Sequence, residues 1–324
     1  MKLLKLIPDN TNIKFLRWRT PFYVVSLLLM AASIALVVGK GLNLGVDFVG
    51  GQSVRVTFVG EPVAPIADIR EDVGGLGYGD PIIQQIGDPN QVSIRMKLPE
   101  DESGLGLADQ MTRQIVSTVR AEHPDARIDG VESVSGKVSG ELFSTGMLAL
   151  ALAMVGISIY IWVRFEWQFG VGALFALVHD VTLTLGLFAL TGMEFDLNIV
   201  AALLTLIGYS LNDNIVVYDR IRENLKKFRK MPLAELLDLS VNETLSRTVV
   251  TSGALLITLL SLVLLGPDVI FGFSAAITFG IFVGTYSSIF MSTPILIWLG
   301  VTGDSFVPRE TAVEIQDRKA RGEA

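Results

Sequence analysis

The chain has 324 residues, 50% hydrophobic and 18% charged, and its mean hydropathy of +0.52 is too high for an ordinary soluble domain. Two histidines and no cysteine exclude a cysteine-based zinc site, a disulfide framework and a thiol nucleophile. The net charge of −7 offers no basic footprint for nucleic acid, so the placement of charge along the chain carries more than its sum.

Residues 1–20 carry Lys2, Lys5, Lys14, Arg17 and Arg19 ahead of an uncharged run over 21–39. A secretory signal also starts basic and turns apolar, but here no small-residue cleavage site follows. The run meets Lys40 and then Leu42-Asn43-Leu44-Gly45. This predicts a retained first span with its basic flank in the cytoplasm.

Residues 40–140 hold fifteen Asp and Glu against nine Lys and Arg, with no membrane-length run, and read as a soluble domain. Residues 52–59 alternate Val54, Val56 and Phe58 as a strand does. Over 65–74, Ile66, Ile69 and Val73 fall at helical spacing, and Gly74-Gly75 ends the helix. Strands at 82–86 and 92–98 flank the turn Gly87-Asp88-Pro89-Asn90. Residues 105–123 show Leu107, Met111, Ile115, Val116 and Val119, an amphipathic stripe, and 127–134 closes with Ile128, Val131 and Val134. The order β-α-β-β-α-β is the split ferredoxin-like unit, a fold that fixes no function. No nucleophile–base pair stands in it, and His123, followed by Pro124, reads as a helix-end residue.

Residues 141–301 return to the membrane as a five-helix bundle. Residues 142–163 are uncharged and end at Arg164; 169–193 are apolar except His179-Asp180; 197–218 contain Asp213. A polar cytoplasmic loop is expected over 219–247, with Arg220, Arg222, Lys226, Lys227, Arg229 and Lys230. Residues 248–266 form the fifth span. The uncharged run 269–301 is too long for one straight crossing, and Pro294 marks a kink or the exit. A mixed-charge tail, 302–324, follows. Basic residues crowd the amino terminus, the turn at 164, the 219–247 stretch and the tail, whereas the turns at 191–196 and 267–268 carry none. Six spans, both termini cytoplasmic and 40–140 outside satisfy the positive-inside rule at every loop.

Asp213, flanked by Asn212 and Asn214, is the outstanding residue, because a carboxylate in hydrocarbon costs roughly 2.5–3.5 kcal/mol on insertion scales. It is either a proton-relay group or a structural carboxylate tied to a neighbouring helix. Steps of three and four residues place Tyr209, Thr205, Ala202 and Asn198 on its helix face. The fifth span has a matching stripe: Arg247, Thr251, Ala254, Thr258 and Ser261. Arg247 pairs with the acid or snorkels to the inner surface. His179-Asp180 reads equally as relay or satisfied pair and receives no role. A serine or metal hydrolase lacks a third member and any Gly-x-Ser-x-Gly. Gly272, Ala276, Gly280, Gly284, Ser288 and Ser292, each four residues from the last, predict a crowded helix–helix contact.

The run GYSLNDNIVVYDRIREN at 208–224 resembles the signature of the SecF branch of the SecD/SecF family of bacterial protein-export membrane subunits. LGVDFVGG at 44–51 resembles that family's entry motif, and NETLSRTVVTS at 242–252 resembles its approach to the fifth span. The resemblance implies a resistance-nodulation-division (RND) superfamily fold in the bacterial inner membrane. It implies pairing with SecD into a twelve-span assembly beside the SecYEG channel, with YajC and YidC as further candidates. Exported unfolded preproteins and membrane lipid are its other implied contacts, and nucleic acid is not. It also implies no enzymatic cofactor: the proton-motive force would drive late steps of export. The family's proton-path acid and arginine match Asp213 and Arg247. Protonation of Asp213 would loosen its tie to Arg247, shift helices and re-aim the outer domain. Such coupling is affordable, since one charge crossing the membrane is worth about 2.3 kcal/mol per 100 mV, and reversing a 1:99 preference takes about 5.5 kcal/mol. The rival readings are a half-size RND-type exporter of lipids or drugs, and a non-conducting scaffold for the channel.

Overall fold

The computed structural model describes residues 8, 11–97 and 105–301, with the side chains of 105–107 excepted. Lys2, Lys5, the Leu107 side chain and the tail 302–324 therefore lie outside the described residues.

In chain order the elements begin with α1 (Arg19–Gly39), β1 (Asn43–Leu44) and α2 (Val46–Val49). The sheet domain follows: β2 (Gly51–Phe58), α3 (Ile66–Gly74), β3 (Ile82–Gln85), β4 (Gln91–Met96), α4 (Leu105–Glu122) and β5 (Ala126–Val134). The remainder is α5 (Gly136–Arg164), α6 (Trp167–Thr191), β6 (Glu194–Phe195), α7 (Leu197–Lys227), α8 (Leu233–Leu265) and a divided last span. That span runs through α9 (Phe271–Ser287), a π turn (Ser288–Ser292) and α10 (Thr293–Trp298). Among the described residues, six helices are long and apolar enough to cross a membrane. Among them α6 and α7 are the most enclosed by protein.

The four-stranded sheet has the order β3-β4-β2-β5 with every neighbour antiparallel, the split ferredoxin-like arrangement. Strand alternation puts Val54, Val56, Phe58, Val92, Ile94 and Met96 against Ile69, Val73, Met111, Ile115 and Val119 of the two helices. The other face is polar. Ser53 and Ser93 hydroxyls meet at 3.0 Å, and Arg55 pairs with Glu132 at 2.6 Å.

The stretch 44–51 is explained by what it holds. Gly50 and Gly51 have φ of 71° and 127°, a region side chains avoid, and a Cβ on Gly51 would strike the Met96 carbonyl. Asp47 accepts the Leu197 N–H at 3.0 Å, so an outer-domain entry residue caps the first turn of α7. β1 pairs in parallel with β6, directly before that helix. Arg95 of β4, buried, fastens the sheet to this junction. It donates to the Leu44 carbonyl (3.0 Å) and Asn43 Oδ1 (2.7 Å), and lies 3.4 Å from Glu194 Oε1.

Two expectations are corrected. The polar loop 219–247 is almost entirely helix: α7 continues to Lys227 and α8 begins at Leu233. Its charges are the outer faces of two packed helices whose inner residues Ile221, Leu225, Leu236, Leu237 and Val241 are buried. Arg220 and Asn224 both bond Glu243, at 2.7 and 2.6 Å, which locks the two projecting ends together. The last span does not kink at Pro294 alone. A π turn precedes it, widening the helix just where proline removes a donor and crowds the previous turn.

Candidate intramembrane proton site

Asp213 lies on α7, 2% exposed. Its near partner is Ser252 of α8, whose hydroxyl donates to Asp213 Oδ2 at 3.4 Å. The same Ser252 oxygen accepts from Tyr209 of α7 at 3.1 Å and from Thr285 of α9 at 2.9 Å. Hydroxyls from two helices thus converge on one oxygen of a third, and that hydroxyl in turn donates to the carboxylate. A hydroxyl both donates and accepts, so the set can pass a proton along or stabilise the ionised acid.

The structure distributes the other expected residues differently. Thr205, Thr251 and Thr258 are exposed and bond the carbonyls of Ala201, Arg247 and Ala254 in their own helices, at 2.8, 3.0 and 3.2 Å. Asn212 is exposed. Asn214 is buried and donates to the Ser210 carbonyl at 3.1 Å, away from Asp213. Arg247 is exposed, and among the described residues no ion pair within 4.0 Å joins it to Asp213. Its charge still reaches Asp213 through space. The direct tie is corrected: Arg247 precedes Ser252 by five residues, about 7.5 Å along the helix, and turns outward.

The stripe of small residues faces inward, chiefly onto α7. A Cβ on Gly280 would stand 2.5 Å from Leu206 Cδ1, one on Gly284 3.3 Å from Ser210, and one on Gly272 3.3 Å from Ile199. Ala276, Ser288 and Ser292 are buried in the same contact region. This close approach is what lets Thr285 reach Ser252.

Above the start of α7, a cavity of about 140 Å³ lies between the sheet and the bundle, lined by Arg55, Glu194, Asp196, Asn198 and Asp268 among others. Burial pushes the carboxyls of Glu194 and Asp196 above the usual range; Arg95 pulls Glu194 back in part, and bonds from Asn198 and Ile199 do so for Asp196.

Six apolar helices, a ferredoxin-like domain inserted after the first and a buried acid in the fourth define an RND-like multi-pass membrane protein. Residues 114–302 match the family model described as protein export membrane protein SecD/SecF, C-terminal, and 35–60 match the SecD/SecF GG motif. The protein translocase subunit SecF of Cereibacter sphaeroides is 45% identical, over 92% of this chain and 93% of that relative. That of Vibrio alginolyticus is 39% identical over 96% and 98%. The crystal structure of SecDF from Thermus thermophilus, described as a translocon-associated membrane protein, superposes with a TM-score of 0.82 at 33% identity. It covers 91% of this chain, which spans 39% of the SecDF chain. The chain belongs to the SecD/SecF family of protein export membrane proteins, as a SecF-type member.

Proposed function

We propose that the chain is one half of a proton-driven accessory unit of the Sec export machinery. It joins a SecD partner beside the SecYEG channel and promotes late-stage movement of unfolded preproteins across the inner membrane. In this reading both termini are cytoplasmic, the outer domain is periplasmic, and no catalytic chemistry or bound cofactor is needed. The observation that carries it is the buried carboxylate of Asp213 held by a convergent hydroxyl set from α7, α8 and α9. An acid so placed is costly and serves best where its charge changes. Protonation removes the charge that strengthens the Ser252 bond, loosens α8 and α9 against α7, and passes to the outer domain through Asp47 and the Arg95 junction at the start of α7.

The test is proton-gradient-driven export in membrane vesicles with Asp213→Asn, which keeps size and removes charge. Insertion and partner assembly should persist while the gradient-dependent component falls at least about tenfold, a barrier change of about 1.4 kcal/mol. Normal gradient-driven export would defeat the reading. It would favour the scaffold alternative, which the missing direct bond between Asp213 and Arg247 also supports. A half-size exporter of lipids or drugs is the other rival, and transport of such a molecule by this chain without preprotein would establish it.

A further inference from the structure

We propose that Asp180, with His179, is a second ionisable site of the bundle, a positioning pair whose charge state sets α9 against the hydroxyl group that serves Asp213. The proposal rests on the proton-site reading above.

Both residues are fully buried in α6. His179 Nδ1 lies 2.9 Å from Asp180 Oδ1. The Ser210 hydroxyl of α7 donates to Asp180 Oδ2 at 2.6 Å, and the Ser287 hydroxyl of α9 donates to the same oxygen at 2.9 Å. One carboxylate therefore clamps three helices. It sits against bare backbone of α9, since a Cβ on Gly284 would lie 3.4 Å from Asp180 Oδ2 and 3.3 Å from Ser210. From the packed helices, Ser210 on α7 and Gly284, Tyr286 and Ser287 on α9 face the pair. Tyr286 is the titratable one, its ring 6.1 Å from that of His179, and its hydroxyl is held by Ser26 and the Phe22 carbonyl of α1.

The two acids are linked through adjacent residues. On α7, Ser210 serves Asp180 while Tyr209 serves Ser252, the donor to Asp213. On α9, Ser287 serves Asp180 while Thr285, two residues earlier, serves Ser252. Directly after Ser287 the helix widens into the π turn, a place where register can change.

An ionised carboxylate accepts from all three donors at once. When it takes up a proton, the charge that strengthens all three bonds is lost, and a proton on Oδ2, whose lone pairs already accept from Ser210 and Ser287, displaces one of those two hydroxyls. Releasing Ser287 frees α9 beside the π turn and moves Thr285 relative to Ser252. His179 Nε2 is buried with no hydrogen-bond partner among the described residues. A purely structural clamp between these helices needs no ionisable pair, because apolar packing of the same volume holds helices as well.

The experiment uses the complete chain assembled with its partner in vesicles, and measures gradient-driven export across a range of pH. Asp180→Asn should keep protein level, assembly and ATP-driven export (the part measured with ATP and no proton gradient), and lose about tenfold or more of the gradient-driven part. Asp180→Glu should restore it with a displaced pH profile. Ser287→Ala, which leaves the acid in place but removes one donor, should shift the midpoint of that profile by about half a pH unit or more. If Asp180→Asn and Ser287→Ala both give the unmodified chain's pH profile and rate, the proposal is overturned. It is also overturned if their losses fall equally on ATP-driven export and on thermal stability, which marks a structural clamp. Asp213→Asn measured alongside separates the two readings: loss there with an unchanged Asp180→Asn profile sinks only this one.

Discussion

Ser252 accepts two hydroxyl donors and gives its own proton to Asp213, so its removal takes a partner from three groups at once, of which Asp213 is the fully buried one. Each buried polar group left without a partner costs about 1–3 kcal/mol. Ser252→Ala should lower the thermal unfolding temperature and reduce gradient-driven export, whereas Thr258→Ala, whose hydroxyl bonds only its own helix, should stay within about 0.5 kcal/mol of the unmodified chain. Equal effects of the two substitutions would remove Ser252 from its assigned place. Asp213 was legible in the sequence because a charge inside an apolar run has no bland neighbour to hide among. Ser252 was not. The adjacent Thr251 offers the same chemistry, and a rotation of about 100° per residue decides which hydroxyl turns inward. Nothing local in the sequence reveals that angle. It is set by how α8 leans on α7 and α9, and the same rotation turns Arg247 away from the acid.

At the scale of elements, the small residues of α9 were readable from their spacing, but their partner was not. Leu206, Ser210 and Ile199 place it on α7, within this chain. Gly280→Ala should destabilise by about 1–3 kcal/mol, because its Cβ meets a fully buried Leu206 that has nowhere to go. Gly272→Ala meets only the end of Ile199 and should be nearly silent; thermal unfolding in detergent compares the two. The polar stretch 219–247 has the charge density of a loop, yet Val217, Ile221 and Leu225 follow a helical step. The junction of β1, β4 and β6 had no sequence signal, since Arg95 alternates with core residues like any exposed strand position. Burial raises the Glu194 carboxyl at that junction, so the folded contact favours the neutral acid. That contribution is complete below the ordinary carboxylate value and is lost as pH rises through the raised one. Amide exchange at Asn43–Leu44 and Glu194–Phe195, corrected for its intrinsic pH effect, should therefore speed up across that window. Glu194→Gln should flatten the dependence; an unchanged slope would exclude Glu194 as its source.

For the whole molecule, the question is what covers the outward face of α7 and α8. Thr205 and Asn212 on one helix and Arg247, Thr251 and Thr258 on the other are all exposed, on segments long enough to lie in the membrane. By contrast the exposed face of α5 is apolar, with Leu148, Leu152, Val155 and Ile159, and suits lipid. Polar side chains at membrane depth are stable where protein or a wet path shields them, and Arg247 would otherwise have to reach the inner surface. The chain spans 39% of the SecDF chain with which it superposes, leaving ample protein in such an assembly to supply a neighbour. The α7–α8 face is therefore the expected docking face for the proposed SecD partner, which would place Asp213, one layer beneath, close to the seam between halves. The chain's lack of cysteine makes the test clean. In native membranes, Asn212→Cys and Thr258→Cys should cross-link to a larger multispan protein, and Leu148→Cys should not. Mild-detergent extraction should recover the same partner. Cross-linking confined to Leu148→Cys, or full gradient-driven activity of the chain reconstituted alone, would place the partner elsewhere or dispense with it.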